Sequence, residues 1–370
     1  MTLALLAEAS RPPAAPVALI AGALLVAIAL ADMVHTLVTT SASHGHWWPS
    51  RFAGDTAFSL LRRTVGRLPE ESRLRETMLA GFGPVLLLLM LAVWIVLQVT
   101  GFALIWWSSG QVEGIDGGLG AVYYSGVVFF TVGFGDLLPV GAAARAGVLA
   151  QAACGVMTTA LVIGYLPSLY GAYSQREQKL PTLDDGSGQR VTPTALVIAW
   201  GRDGDVDRVN ARLADWEDWV AGIHETHATL PMLKLFRSHD RQQNWVTALG
   251  LLADASVHAQ LTVDGAGPTE SYWLLRRIVA TLDTMTDGAD LGAYRSPTPD
   301  PAANEELIAG VYAELEAAGF ALIPFDEALP RANELHDAFG PQLEYLIDYL
   351  LCPHGFWSPS IPVSAGPARR

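Results

Sequence analysis

Residues Phe82 to Trp107 form an unbroken run of 26 positions without a single charged side chain. A helix that crosses the hydrocarbon core of a bilayer needs about 20 apolar residues. The run therefore commits the chain to a membrane before any other feature is considered. Two further segments qualify. Val17 to Val38 is apolar apart from Asp32 and His35 near its end, and Ala142 to Tyr170 is charged only at Arg145. For the first segment a cleaved signal peptide is a rival. Only Arg11 precedes it as a basic residue, and no small-residue cleavage site follows, so a retained spanning helix is expected.

Composition divides the chain. Charged residues make up 16% of it, against about 25% in soluble domains. Residues 1–180 carry 10 Lys/Arg and 10 Asp/Glu, whereas residues 181–370 carry 13 and 27, so the second half holds the whole net charge of −14. An apolar membrane half is thus followed by an acidic, water-soluble half, a poor partner for nucleic acid or anionic lipid. The two cysteines, Cys154 and Cys352, cannot form a disulfide framework. Cys154 sits in an apolar run and reads as packing. Cys352 has His354 nearby, which falls short of a metal site.

Basic residues in the short loops set orientation. Arg51, Arg62, Arg63, Arg67, Arg73 and Arg75 lie between the first and second segments, and residues 108–141 carry no Lys or Arg. Arg176 and Lys179 follow the third segment. The expected arrangement is a multi-pass protein of the cell (inner) membrane. Residues 39–81 and the acidic half are then cytoplasmic, and 108–141 lie outside. The stretch AFSLLRRTVGRL alternates apolar and basic positions at helical spacing. It suits a helix lying along the inner membrane surface and equally a plain helical linker.

The outer loop carries the informative residues. AVYYSGVVFF is apolar but too short to span, and suits a helix of about three turns. TVGFGDLLPVG follows. Irregular backbone at membrane depth is tolerated only where protein covers it or water fills a cavity, so the loop is expected to re-enter and line something wet. In Thr131-Val132-Gly133-Phe134-Gly135, glycine at alternate positions admits backbone angles closed to other residues, which lets successive carbonyls face one side. Strands of this kind from four chains would stack rings of carbonyl oxygens able to replace a cation's hydration shell. Val132 and Phe134 would then pack away from the axis, and Asp136 would tie the loop to an aromatic or backbone partner.

The hexapeptide TVGFGD resembles the signature of the potassium-channel family in its Gly-Phe-Gly form. The resemblance covers about residues 82–172 without a gap. Tyr123, Tyr124 and Ser125 fall where the family has two aromatics and a serine in its pore helix. Leu137, Pro139 and Val140 match the filter exit, and Gly155 falls on the family's gating hinge. The resemblance implies K+ coordination by Thr131, Val132, Gly133 and Phe134, with Asp136, Tyr123, Tyr124 and Ser125 as filter support. It implies K+ as the transported ion, no cofactor and no enzymatic role. One motif per chain implies a homotetramer in the lipid bilayer. Two positions depart from the family: Val127 where some members carry a filter-supporting glutamate, and Phe130 where many carry a second hydroxyl. Phe130 leaves a weakly selective cation channel open, and a membrane-anchored sensor or enzyme with a vestigial pore is a further alternative. Gly155, Gly164 and Pro167 are the gating candidates. Asp32 and His35 share a helix face near the cytoplasmic end, where a functional role and simple interfacial solvation account for them equally.

The expected fold is an all-α membrane protein: three transmembrane helices plus a re-entrant pore helix and filter loop, followed by an all-α cytoplasmic domain. Its divisions are a peripheral helix (1–40), a cytoplasmic linker with an interfacial helix (41–81), the pore module (82–172), a linker (173–193) and the acidic helical domain (194–370). TALVIAWGRDGDVDRVNARLADW looks at first like a strand, glycine turn and helix. Its glycine positions read Ala199, Gly201 and Gly204, an incomplete Rossmann fingerprint. Helices are expected instead at Val206–His224, Asn244–Leu261, Ser271–Met285, Glu305–Ala318 and Leu343–Leu351, with Trp216, Trp219, Trp245 and Trp273 as core residues. Arg237 to Trp245 reads as a helix junction or interdomain contact. His224 and His227 flank Glu225 three residues apart, not four as a zinc-protease helix requires, and read as surface histidines. The domain is left with a role in assembly or regulation and room for a cytoplasmic ligand.

Overall fold

A computed structural model describes residues 15–37, 48–69, 72–183, 191–238, 244–265, 267, 269–294 and 301–352. The chain divides into two units, Met1–Tyr170 and Gly171–Arg370. Among the described residues, three helices are long and apolar enough to cross a membrane: Ala15–Leu37, Arg73–Ser109 and Gly141–Thr182.

In the first unit the helices are α1 (Ala15–Leu37), α2 (Pro49–Val65), α3 (Arg73–Ser109), α4 (Gly117–Phe129) and α5 (Gly141–Lys179). Helix α3 begins upstream of the expected Phe82, because Arg73 to Ala80 is itself rich in helix formers. It ends at Gly110, whose left-handed φ of 62° lets its N–H close the last turn on the Trp106 carbonyl. A two-residue antiparallel ladder, β1 (Val112–Glu113) with β2 (Leu138–Pro139), ties the two ends of the α4 loop together. Helix α4 is thus held at both ends, and is seated on a core of Phe102, Trp106, Val112, Tyr124 and Ala144.

Helix α1 packs on α3 by close backbone approach. A Cβ on Gly22 would lie 2.5 Å from the Gly101 carbonyl oxygen, and one on Gly101 would lie 2.8 Å from that of Gly22. Small residues at such a crossing let helices without a hydrophobic driving force between them gain van der Waals contact. Helix α2 packs through Phe58, whose ring lies 5.3 Å from that of Phe82. The opposite side of α2 leaves Phe52 and Leu60 exposed.

The second unit is helical: α6 (Pro193–Trp200), α7 (Val206–Thr229), α8 (Trp245–Ala259), α9 (Glu270–Thr286), α10 (Pro301–Ala317), α11 (Phe325–Asp337) and α12 (Gly340–Leu350). Every residue of α8 is buried, because α6, α7, α9, α11 and α12 all pack against it. Asn244 starts α8 by accepting the Val246 N–H at 2.8 Å, and Asp205 starts α7 by accepting that of Arg208 at 3.2 Å. The five expected helices are present. Two more, α6 and α11, have no clear signal in the sequence. TALVIAW is a helix, not a strand: a short apolar run has no decisive period, and here Pro193 at the first turn and the Thr192 side chain, which accepts the Ala195 N–H, set the helix. Helix α11 runs through Pro330, which as a sequence signal reads as a breaker. The Rossmann-like alternative is overturned, since the described residues of this unit hold only an isolated bridge, Thr262 with Leu322.

Three further expectations are corrected. Trp273 is half exposed, while Trp216, Trp219 and Trp245 are buried as expected. His227 is buried rather than superficial. Tyr173 to Lys179, which the sequence assigns to a linker, continue α5, and a 3-10 turn at Leu180–Thr182 buries Leu180. His354 lies outside the described residues, as do residues 239–243 within the expected Arg237–Trp245 junction and residues 184–190 within the expected linker.

Candidate functional site

The chain leaves α4 through Phe130, and the N–H groups of Thr131 and Val132 fold back onto the carbonyls of Val128 (3.0 Å) and Val127 (2.9 Å). From there the backbone alternates. Thr131, Gly133 and Gly135 have φ of 56°, 63° and 78°, so every second residue is left-handed. For the two glycines this costs little. For Thr131, a β-branched residue, it is strain of about 1–3 kcal/mol that only a determining environment maintains. Phe130 to Asp136 are all exposed in the single chain. The exposure includes apolar side chains, with Val132 at 50% and Phe134 at 70%.

The exit of this segment is held by the Tyr123 hydroxyl, which donates to Asp136 Oδ2 at 2.9 Å. Tyr123 is half exposed beside it, whereas Tyr124 and Ser125, the next two residues of α4, are buried. The Tyr124 ring stands edge-on to Trp106 with centroids 5.9 Å apart. Such pairs add about 0.5–1.5 kcal/mol beyond their buried area. The Ser125 hydroxyl donates to the Val99 carbonyl of α3 at 2.8 Å.

Sequence reasoning missed Gln151. It is fully buried on α5. Its Nε2 donates to the Ser125 carbonyl (2.9 Å) and is 2.8 Å from the Ser125 hydroxyl, and its Oε1 accepts the Trp106 indole N–H at 2.6 Å. The signal was present: a lone glutamine in the apolar run VLAQAACG, where a polar side chain must find a partner in another helix. Gln98 of α3 and Thr158 of α5 form a similar buried pair, Nε2 to Oγ1 at 3.0 Å.

The gating candidates differ in their surroundings. A Cβ on Gly155 would lie 2.2 Å from the Phe129 carbonyl oxygen, so this glycine is a contact between α5 and α4. Gly164 has open space around its Cβ position. Pro167 sits inside the unbroken helix α5.

Asp32 is fully buried rather than solvated at an interface. Its carboxylate accepts from the Ser50 N–H (2.9 Å), the Ser50 hydroxyl (2.7 Å) and the Trp94 indole N–H (3.1 Å). Ser50 lies in the first turn of α2, where Trp48 offers no side-chain cap. Asp32 therefore supplies from α1 the acceptor that the first turn of α2 lacks. His35, the other residue of that pair, stacks on Trp48 at 4.9 Å.

In the second unit the polar centre is Arg176, which is buried near the end of α5. Its guanidinium donates to the carbonyls of Leu233 (3.1 Å) and Phe236 (2.6 Å) and to Glu177 Oε1 (2.8 Å). It also lies 5.0 Å from the Trp245 ring centroid. The planar fork suits an arginine better than a lysine. Nearby, the His227 ring lies tilted against that of Trp245 with centroids 4.8 Å apart, and its Nδ1 donates to the Ile223 carbonyl at 2.9 Å. Burial, and then the charge of Arg176, push its pKa down to about 3, so the ring is neutral. Among the described residues no group of His, Cys, Asp and Glu could hold a metal, so His224, Glu225 and His227 make no such site. Cys352 is buried, with Asn244 Nδ2 at 3.4 Å from its sulfur.

Comparison with known proteins places these features. Residues 89–170 match the Ion_trans_2 family, described as an ion channel. The match runs from within α3 through α4 and the exposed loop into α5, so this stretch of the chain is similar to an ion-channel family. An uncharacterized membrane protein, YdjJ of Bacillus subtilis (strain 168), is 27% identical over 200 residues, which is 51% of this chain and 55% of that protein. The match spans about half the length of that relative. No solved structure matches.

Proposed function

We propose that the chain is one of four identical subunits of a K+-selective channel. The observation that carries this reading is the alternating left-handed backbone at Thr131, Gly133 and Gly135, in a segment that a single chain leaves exposed. A strand of that kind turns successive carbonyls to one side, and one such strand per chain requires several chains to surround an ion. K+ then passes between rings of carbonyl oxygens from Thr131, Val132, Gly133 and Phe134, with the Thr131 hydroxyl at the inner end. The apolar side chains of Val132 and Phe134 are covered by neighbouring subunits. Tyr123 and Asp136 hold the outer mouth, and the ladder of β1 with β2 fixes the loop around it.

In this reading α3 and α5 are the outer and inner helices of each pore unit, α1 is peripheral, and the arginines between α1 and α3 place the acidic unit in the cytoplasm. The acidic unit is an assembly or regulatory domain rather than an enzyme. Gly164 and Pro167 are the better bending points, because Gly164 has open space around its Cβ position and Pro167 is exposed, whereas Gly155 is committed to a contact. A weakly selective cation channel is the second reading, favoured by Phe130, an exposed ring where the family commonly has a hydroxyl. Replacing Gly133 by alanine separates a backbone role from a packing one. Nothing in its own chain lies within 4 Å of its Cβ position, so within the subunit the substitution acts through the left-handed φ, at about 1–2 kcal/mol. Flux through Gly133→Ala channels is expected to lose K+ preference or cease, and wild-type flux would contradict the role.

A further inference from the structure

We infer that Gln151 is a positioning residue for the conducting segment, and that α5 grips α4 through it. Its role rests on the potassium-channel function proposed above. Residue 127, where a filter-supporting carboxylate could stand, is a valine, so α4 has no acidic group at that position to brace the loop that follows. The brace comes instead from the next helix. Gln151 donates to both the carbonyl and the hydroxyl of Ser125, and receives the indole N–H of Trp106. One turn further along, Gly155 meets the carbonyl of Phe129. The contacts are thus 151 to 125 and 155 to 129, with the same spacing on both helices, as expected where two ridges of the same period lie in register. Gly147 extends the stripe by one turn, since a Cβ there would lie 2.7 Å from the Trp106 ring.

The second contact falls on Phe129, the last residue of α4 and two positions before the left-handed Thr131. Any side chain at position 155 would displace that carbonyl, and loss of the amide at 151 would remove the hold of α5 on Ser125 one turn earlier, leaving only its bond to the Val99 carbonyl of α3. The strained φ of Thr131 needs surroundings that determine it, and these two contacts supply them from outside α4. Trp106 belongs to the same device, because its indole orients the glutamine side chain. Tyr124 packs edge-on against that indole and keeps it in place. Movement of α5 therefore reaches the conducting segment directly, without passing through the gating candidates further along the helix.

The test uses full-length channels in planar bilayers, comparing wild type with Gln151→Met, Ser125→Ala and Trp106→Phe. The methionine keeps the length of the side chain and removes its hydrogen bonds. The other two each remove one partner, and Trp106→Phe keeps a ring beside Tyr124. The readouts are the K+ over Na+ permeability ratio and the decay of current at constant voltage, both measured on channels that have assembled. Gln151→Met is expected to lower the ratio or speed the decay by about tenfold, the effect of losing its three hydrogen bonds at a modest net contribution each. Ser125→Ala and Trp106→Phe are expected to move the same quantity by about threefold to fivefold. If Gln151→Met does not assemble, the two milder variants decide. Assembled variants with wild-type ratio and decay would overturn the positioning role, even if their yield falls. Wild-type channels that pass K+ and Na+ alike would overturn the function on which it rests, and the role with it.

Discussion

Trp94 donates its indole N–H to the carboxylate of Asp32 at 3.1 Å, from one spanning helix to another, inside a fully buried site. The same carboxylate caps α2 through Ser50, so three helices meet at one acidic side chain. Replacing Asp32 by alanine orphans the Trp94 and Ser50 donors. Each orphaned buried donor costs about 1–3 kcal/mol. Asp32→Ala is expected to lower the unfolding temperature of detergent-solubilised protein well below that of Trp94→Phe, which orphans no donor. Equal melting of wild type and Asp32→Ala would contradict the cap.

The crossing of Gly22 and Gly101 makes a separate demand. A leucine at position 22 would drive its side chain into the Gly101 carbonyl, and overpacking of this kind costs about 1–3 kcal/mol. Gly22→Leu is expected to separate α1 from α3. Cysteine pairs placed across the crossing should then lose their cross-linking, while pairs between α3 and α5 keep theirs. Retained cross-linking at the first site would show that α1 does not depend on close backbone approach.

The tie between Tyr123 and Asp136 predicts a defect confined to the loop. Both residues are exposed in the single chain, so losing their hydrogen bond should leave folding intact. It should destabilise the loop by about 1 kcal/mol. Tyr123→Phe and Asp136→Ala are expected to shorten channel openings by similar factors, and the double variant should be no worse than either single one. Additive effects would mean that the two side chains act independently.

Which of these features the sequence discloses follows from the range of the interaction. Spanning segments are local sums of hydropathy, and Phe82 to Trp107 could hardly be anything else. Thr131 to Asp136 is legible because left-handed backbone at fixed intervals calls for glycine, and Gly133 and Gly135 supply it. Gln151 is not legible in that way. Its meaning depends on Ser125 and Trp106, which lie on two other helices. Asp32 stands out as an ionisable residue at depth, yet its partners Ser50 and Trp94 cannot be paired with it before α1, α2 and α3 are placed. In the acidic half, TALVIAW has too little period to distinguish helix from strand. Trp273 sits at helical spacing but on the open side of α9, which periodicity alone does not orient.

The buried His227 and His258 and the partly buried His336 of the second unit predict acid sensitivity. Burial pushes the pKa of His258 and His336 down to about 4, with His336 adding to the effect on His258, and that of His227 to about 3 beside Arg176 and Lys234. An unfolded histidine titrates near about 6.5. Between these values the unfolded state binds more protons than the folded one, so stability is full above pH of about 6.5 and falls as the pH is lowered. The loss levels off near pH 4 for His258 and His336 and near pH 3 for His227. Trp245, whose ring lies 4.8 Å from that of His227, makes tryptophan emission a suitable probe in the full chain. Denaturant midpoints should fall from about pH 7 to about pH 5, and the fall should be smaller in His258→Gln. A midpoint independent of pH would contradict neutral buried rings.

Ion selectivity tests the central claim most directly. Purified protein reconstituted into liposomes, loaded with K+ or with Na+, should carry a K+ flux that exceeds Na+ flux by at least about a hundredfold, the consequence of roughly 2.7 kcal/mol of differential coordination. Ba2+ should block the flux. Equal K+ and Na+ fluxes would contradict a filter built from the carbonyls of Thr131 to Phe134.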